Sequence, residues 1–247
     1  MVLRRLWGQI SRIQVCSASP TRYTFGLFAQ RPRPAVLDPA DIPLLQCQNL
    51  CLSRGEERIF GPLDFSLRSG EALMLEGSNG SGKTSLLRTL MGWIARSDGD
   101  ILWQGTARDT PPAAIGWLGH RTGLKSELSP LENMRALAAL FGLRPGISHR
   151  AALQSVGLEG FEDTPLRKLS QGQNRRAALA ALMTWPTQMW LLDEPYANLD
   201  RDGQLLVDRM LEAHLGRGGA AILTSHGLIS TRVSRIQTLA LSGGNHV

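Results

Sequence analysis

Gly77-Ser-Asn-Gly-Ser-Gly-Lys-Thr84 has the spacing G-x-x-x-x-G-K-[ST], with which a chain wraps its backbone N–H groups around phosphate. Glycines let the backbone curl so that several N–H groups face one point, and a helix starting there adds positive potential. In such a loop Lys83 reaches the β- and γ-phosphates and the Thr84 hydroxyl ligates Mg²⁺. The candidate nucleotide-binding residues are Gly77, Ser78, Asn79, Gly80, Ser81, Gly82, Lys83, Thr84 and Ser85. The chain has three lysines against 24 arginines, so a lysine in this slot is informative. A compact ammonium fits where a planar guanidinium does not. Alone, the loop says only that NTP phosphates bind.

Further groups lie downstream. Met189-Trp-Leu-Leu-Asp-Glu194-Pro195 places Asp193 at the C-terminal edge of a buried strand, close to the Mg²⁺ of the phosphate loop. Glu194 then stands where a general base orients and deprotonates the water attacking a γ-phosphate. Leu169-Ser-Gln-Gly-Gln173 precedes a helix expected over 174–184 and offers Ser170 and the Gly172 backbone as a second anion site. As an isolated pentapeptide it is an N-cap, with Ser170 satisfying free N–H groups. Ala197-Asn-Leu-Asp200 follows Glu194, and Thr224-Ser-His226 ends another apolar run.

These groups need strands and helices to hold them. Ala72–Glu76 is a short apolar run leading into the loop, and Leu86, Leu87, Leu90, Met91 and Ile94 share one helical face beyond it. Ile101–Trp103, Ala114–Leu118, Met189–Leu192 and Ala220–Leu223 read as strands, the last two fully buried by length and composition. Helices are expected around Leu131–Phe141, around Arg150–Val156 and through Val207, Met210, Leu211 and His214. Strands separated by helical stretches indicate an α/β fold with a parallel sheet, without visible internal repeats.

The five motifs in this order resemble the ATP-binding-cassette (ABC) ATPases over about residues 44–247. The likeness reads 77–84 as the Walker A loop, 169–173 as the LSxGQ signature, Asp193 and Glu194 as Walker B with its catalytic Glu, 197–200 as the D-loop and His226 as the switch histidine. It implies a P-loop NTPase domain of the ABC type, with a helical subdomain at about 121–168 inserted between the Q-loop position and the signature. It implies catalytic roles for Glu194, Lys83 and His226, and nucleotide contacts from Ser170, Gly172 and Gln173. It also implies a homodimer, because the signature of one copy completes the ATP site of the other.

Three positions depart from the general pattern. The usual Q-loop glutamine aligns with His120, whose neutral imidazole could still contact Mg²⁺ alongside Thr84 and Asp193. Gln171 replaces a glycine in the signature. No aromatic precedes the phosphate loop to stack on adenine; Arg54 is the nearest candidate, so weak base selectivity is expected, with ATP preferred through its abundance. Gly119-His-Arg-Thr-Gly-Leu-Lys-Ser-Glu-Leu128, Glu132-Asn133, Trp103-Gln-Gly105 and Leu169–Arg176 resemble the ATP-binding subunits of cytochrome c biogenesis haem-export systems. That likeness implies a membrane permease partner, other cytochrome c maturation components, and ATP-driven haem export or release of a haem-loaded chaperone. The permease would touch residues 121–168, with Lys125 and Glu127 as contact candidates. Another small ABC exporter, or less readily a soluble non-transport ABC ATPase, is the alternative.

Composition sets outer limits. With 43% apolar and 19% charged residues, the chain can build a core. It has no run of 18 consecutive apolar residues and so is not expected to span a membrane alone. The net charge of +6 comes from a tail: residues 1–37 hold six arginines and no acid, and the remainder carries 21 basic and 21 acidic side chains. No nucleic-acid partner is expected from so balanced a domain. Residues 1–43 read as a basic extension. Leu3, Leu6, Ile10 and Ile13 at helical spacing fit an organellar transit peptide, while a disordered bacterial leader or an over-long start is the favoured reading. The expected location is the cytoplasmic face of the bacterial inner membrane, or the matrix face of the mitochondrial one if the tail is a transit peptide. Three cysteines, Cys16, Cys47 and Cys51, are too few for a disulfide framework. No C-x-x-C-H occurs, and no direct haem site is expected.

Overall fold

A computed structural model describes residues 42–111, 115–224, 233 and 235–242. The tail and His226 lie outside the described residues. Two sheets share the work. Strands β1 (Leu45–Arg54), β2 (Glu57–Leu67), β4 (Asp98–Trp103) and β5 (Thr106–Ala107) form an antiparallel sheet in the order β2-β1-β4-β5. Strands β3 (Ala72–Glu76), β6 (Ile115–Leu118), β7 (Met189–Leu192), β8 (Ala220–Thr224) and β9 (Ile236–Ala240) form a parallel sheet in the order β6-β7-β8-β3-β9. The parallel sheet is the one expected from the alternating pattern. The antiparallel sheet is not, because β2 is half exposed along its length and β1 must reach β4 across the whole of the loop and first helix.

Alternation explains why the central strands are continuously apolar. Leu73 and Leu75 of β3, Met189 and Leu191 of β7, and Ala220 and Ile222 of β8 face a core shared with Leu45, Phe60, Leu86, Leu87 and Ile101. Ala72 and Met74, Trp190 and Leu192, and Ala221 and Leu223 face a second core. A strand buried on both sides cannot afford polar residues on either, so the period of two vanishes from the sequence.

Helices cover this sheet. α1 (Lys83–Leu90) follows the phosphate loop and ends sooner than the apolar spacing suggested, with Met91 as its C-cap and Gly92 at φ +73°. α2 (Pro130–Phe141), α3 (His149–Ser155) and α4 (Gln171–Thr184) contribute Leu131, Met134, Leu153, Leu179 and Leu182 to the second core. α5 (Arg201–Gly216) lays Val207, Met210 and Leu211 against the same face. Near its end, buried His214 stacks on Trp190 with ring centroids 3.8 Å apart and planes 7° from parallel. Its Nε2 lies 3.2 Å from both the Gln188 and Ala220 carbonyls, which fixes the ring proton on that nitrogen. Cys47 and Cys51 are buried free thiols. Among the described residues no helix is long and apolar enough to cross a membrane.

Candidate nucleotide-binding site

The phosphate loop leaves β3 at Glu76 and enters α1 at Lys83. Gly77 sits at φ +152° and Gly82 at +94°. A Cβ on Gly77 would lie 2.5 Å from the Leu241 carbonyl and from Ser81 Oγ, so no larger residue fits. Gly82 starts α1 without a side-chain cap, and no acid occupies the first turn. The leading N–H groups are therefore left for an anion. The hydroxyl of Ser81 is buried in the loop without a hydrogen-bond partner. Lys83, 7% exposed, donates from Nζ to the carbonyls of Gly77 (2.6 Å) and Ser78 (2.9 Å).

The end of β7 meets this loop as expected. Thr84 Oγ1 lies 3.1 Å and 3.0 Å from the two carboxylate oxygens of Asp193. A hydroxyl and a carboxylate converging at one point are the hard-oxygen donors that suit Mg²⁺, which keeps most of its shell for water and phosphate oxygens. A cluster of three or more His, Cys, Asp or Glu is absent among the described residues, and Mg²⁺ requires none. His120, expected near the metal, is exposed and lies two residues beyond the end of β6.

Two residues that hold the site together escaped the sequence reading. Thr224, fully buried at the end of β8, donates to Asp193 Oδ1 (2.9 Å) and accepts from the backbone N–H of Glu194 (2.9 Å). Glu194 itself stands at φ +52°, a left-handed conformation unusual for a residue with a Cβ. Arg175, 4% exposed, extends from α4 to the carbonyls of Gly119 (2.7 Å), Asp193 (3.0 Å) and Glu194 (2.5 Å). Burial lowers its pKa to about 10, while Asp193 and Glu194 pull the other way; it remains a cation at neutral pH. One signal for Arg175 was available: with Leu179 and Leu182 it occupies the buried stripe of its helix at i, i+4 and i+7.

The signature segment differs from expectation in where its helix starts. α4 begins at Gln171, not at 174, because Ser170 and Gln173 form a capping box. Ser170 Oγ accepts from the Gln173 N–H, and Gln173 Oε1 accepts from the Ser170 N–H. Gly172 faces the 197–200 segment, where an added Cβ would lie 3.3 Å from the Asn198 carbonyl. Asp200 caps α5 through the Gly203 N–H and pairs with Arg176 at 2.9 Å. Among the described residues no hydrogen bond joins Ser170, Gly172 or Gln173 to the loop at 77–85. The structure thus brings Thr84 and Asp193 together beside Lys83, with Glu194 next in the chain, and among the described residues joins no signature residue to the loop by a hydrogen bond.

A phosphate loop between β3 and α1, a carboxylate pair at the end of β7 and a signature on a separate helix define an ATP-binding cassette. The sequence profile of the family described as ABC transporter matches residues 60–197, and the chain belongs to that family. It is 49% identical over 201 residues to a Xanthomonas campestris protein named cytochrome c biogenesis ATP-binding export protein CcmA, covering 81% of this chain and 94% of the relative. A protein of that name from Methylococcus capsulatus is 44% identical, with 78% and 95% covered. The fold matches an ABC transporter ATP-binding protein from Pyrococcus furiosus at a TM-score of 0.70 and 24% identity, covering 80% of this chain and 96% of that one. A bacterial ABC transporter cassette solved as a dimer matches at 0.68 and 21% identity, covering 79% and 94%.

Proposed function

We propose that this chain is the ATP-hydrolysing subunit of an ABC complex for cytochrome c biogenesis. Two copies work with a membrane permease at the cytoplasmic face of the bacterial inner membrane, and ATP drives haem export or release of a haem-loaded chaperone. The observation that carries the ATPase reading is the meeting of Thr84 and Asp193 beside the phosphate loop, with Glu194 next in the chain. Identity to the Xanthomonas and Methylococcus relatives supports the cytochrome c assignment.

The geometry supports the roles given to the loop, Lys83, Thr84, Asp193 and Glu194, and the family likeness supports those given to His120, His226 and the signature. The loop N–H groups and Lys83 hold the β- and γ-phosphates, Lys83 exchanging its carbonyl partners for phosphate oxygens. Thr84, Asp193 and His120 would hold Mg²⁺ directly or through water; when bound, it neutralises charge developing on the phosphates. Glu194 takes a proton from the water that attacks the γ-phosphate, and His226 keeps base and water in line. Ser170, Gly172 and Gln173 of one copy donate to the γ-phosphate held by the other, so hydrolysis removes contacts across the dimer and opens it.

Glu194→Gln tests the chemistry. Turnover should fall by about 10²–10⁴-fold, the usual worth of a general base, and an ATP-bound dimer should accumulate. Retained turnover would remove this role from Glu194. Deleting the gene in its own host tests the assignment: haem-stained c-type cytochromes should disappear while b-type cytochromes remain, and intact c-type levels would overturn it.

A further inference from the structure

The last ladder bond between β6 and β7 runs from the Asp193 N–H to the Leu118 carbonyl at 2.6 Å. Beyond it, the carbonyls of Gly119, Asp193 and Glu194 converge where the strands have ended, that of Glu194 also accepting the Ala197 N–H at 3.1 Å. A planar guanidinium answers this arrangement, because its fork addresses several acceptors from one rigid group. Arg175 provides it, Nη1 to Gly119 and Nη2 to both Asp193 and Glu194. Thr224 holds the N–H of Glu194 from the other side. The left-handed turn at Glu194 is therefore held by two buried side chains besides its own Ala197 N–H bond, and one of them belongs to the signature helix.

We propose that Arg175 is a positioning residue for hydrolysis, tying the placement of Glu194 and of the segment entering His120 to the seating of α4. Ser170 caps the same helix five residues earlier, about 7–8 Å along its axis. Arg176, the next residue, fastens the outer side of that turn to Asp200 and to the Val156 carbonyl. A load on the Ser170 end of α4 thus reaches the base through one rigid turn of helix and one guanidinium. The signature helix then does two things at once: it offers donors to a partner's nucleotide, and it sets the base of its own site. This rests on the reading of Glu194 as the general base.

The test uses the purified full chain with Arg175→Met, which keeps the stem and removes the donors, and Arg175→Lys, which keeps the charge on a single nitrogen. ATP turnover, the KM for ATP and thermal melting are measured for each. Arg175→Met should lower kcat by about 100-fold, the scale of a small misplacement of a reacting group. The KM for ATP should stay within about threefold, because the phosphate loop is untouched. Arg175→Lys should fall between Met and wild type, and it carries the test if Arg175→Met fails to fold. Each change is then repeated on Glu194→Gln, where it should cost no further turnover, since it acts through the base. Turnover of Arg175→Lys within twofold of wild type, or an equal added loss in the Glu194→Gln background, would overturn the proposal. A Glu194→Gln chain that turns over normally fails the reading of the base instead, a separate outcome.

Discussion

Replacing His214 with phenylalanine removes one titrating ring and keeps the flat contact with Trp190. Burial lowers the pKa of His214 from 6.5 to about 4; the Ala220 and Gln188 carbonyls oppose the shift, while Arg217 and Arg144 add to it. The unfolded chain therefore takes up this proton below about pH 6.5, whereas the folded protein resists it until about pH 4. Between those values the unfolded state holds more protons, so stability falls as the solution is acidified and the loss levels off below about pH 4. The gap of about 2.5 pKa units corresponds to about 3 kcal/mol, of which about 2.5 kcal/mol is already lost at pH 4.5. At neutral pH the variant should be less stable by about 1 kcal/mol, having lost the Nε2–H bonds. The two stability curves should therefore cross on acidification, with the phenylalanine variant ahead at pH 4.5. Urea unfolding of both proteins over about pH 4.5–7.5 measures this, and their difference cancels the carboxylates common to both. Parallel curves across that window would refute the reasoning.

Lys83→Ala should weaken ATP binding and abolish hydrolysis, read by nucleotide titration and phosphate release. The fold should lose no more than about 1–2 kcal/mol, because the carbonyls it leaves, on exposed Gly77 and Ser78, can turn to water. Ser170→Ala removes the α4 cap and should cost about 1 kcal/mol of stability in a chemical melt. Ser170→Arg should in addition block the ATP-dependent dimer in a Glu194→Gln background while single chains still bind ATP; a dimer on gel filtration would contradict the composite site.

The parts of the site legible in the sequence are those that backbone geometry imposes locally. A loop that must curl needs glycine at 77 and 82, and a strand buried on both faces reads as Met189–Leu192 before ending in acid. Ser170 reads as a helix cap, although its capping box with Gln173 places the helix start three residues earlier than expected. What stayed hidden depends on contacts distant in sequence. Nothing near Arg175 announces that the carbonyls of Gly119, Asp193 and Glu194 will converge on it, 56, 18 and 19 residues away. Thr224 was visible as a strand end, but its two bonds exist only once β8 lies beside β7. The antiparallel sheet was missed for a similar reason: β2 is half exposed along its length, and its partners are set by pairing with β1, which also reaches β4.

The ammonium of Lys83 already bonds to two carbonyls of its own loop. On the proposed reading, nucleotide arrival is a swap of acceptors and not the capture of a dangling cation. The loop keeps its curvature between turnovers, so little flexibility has to be frozen out when a new triphosphate arrives.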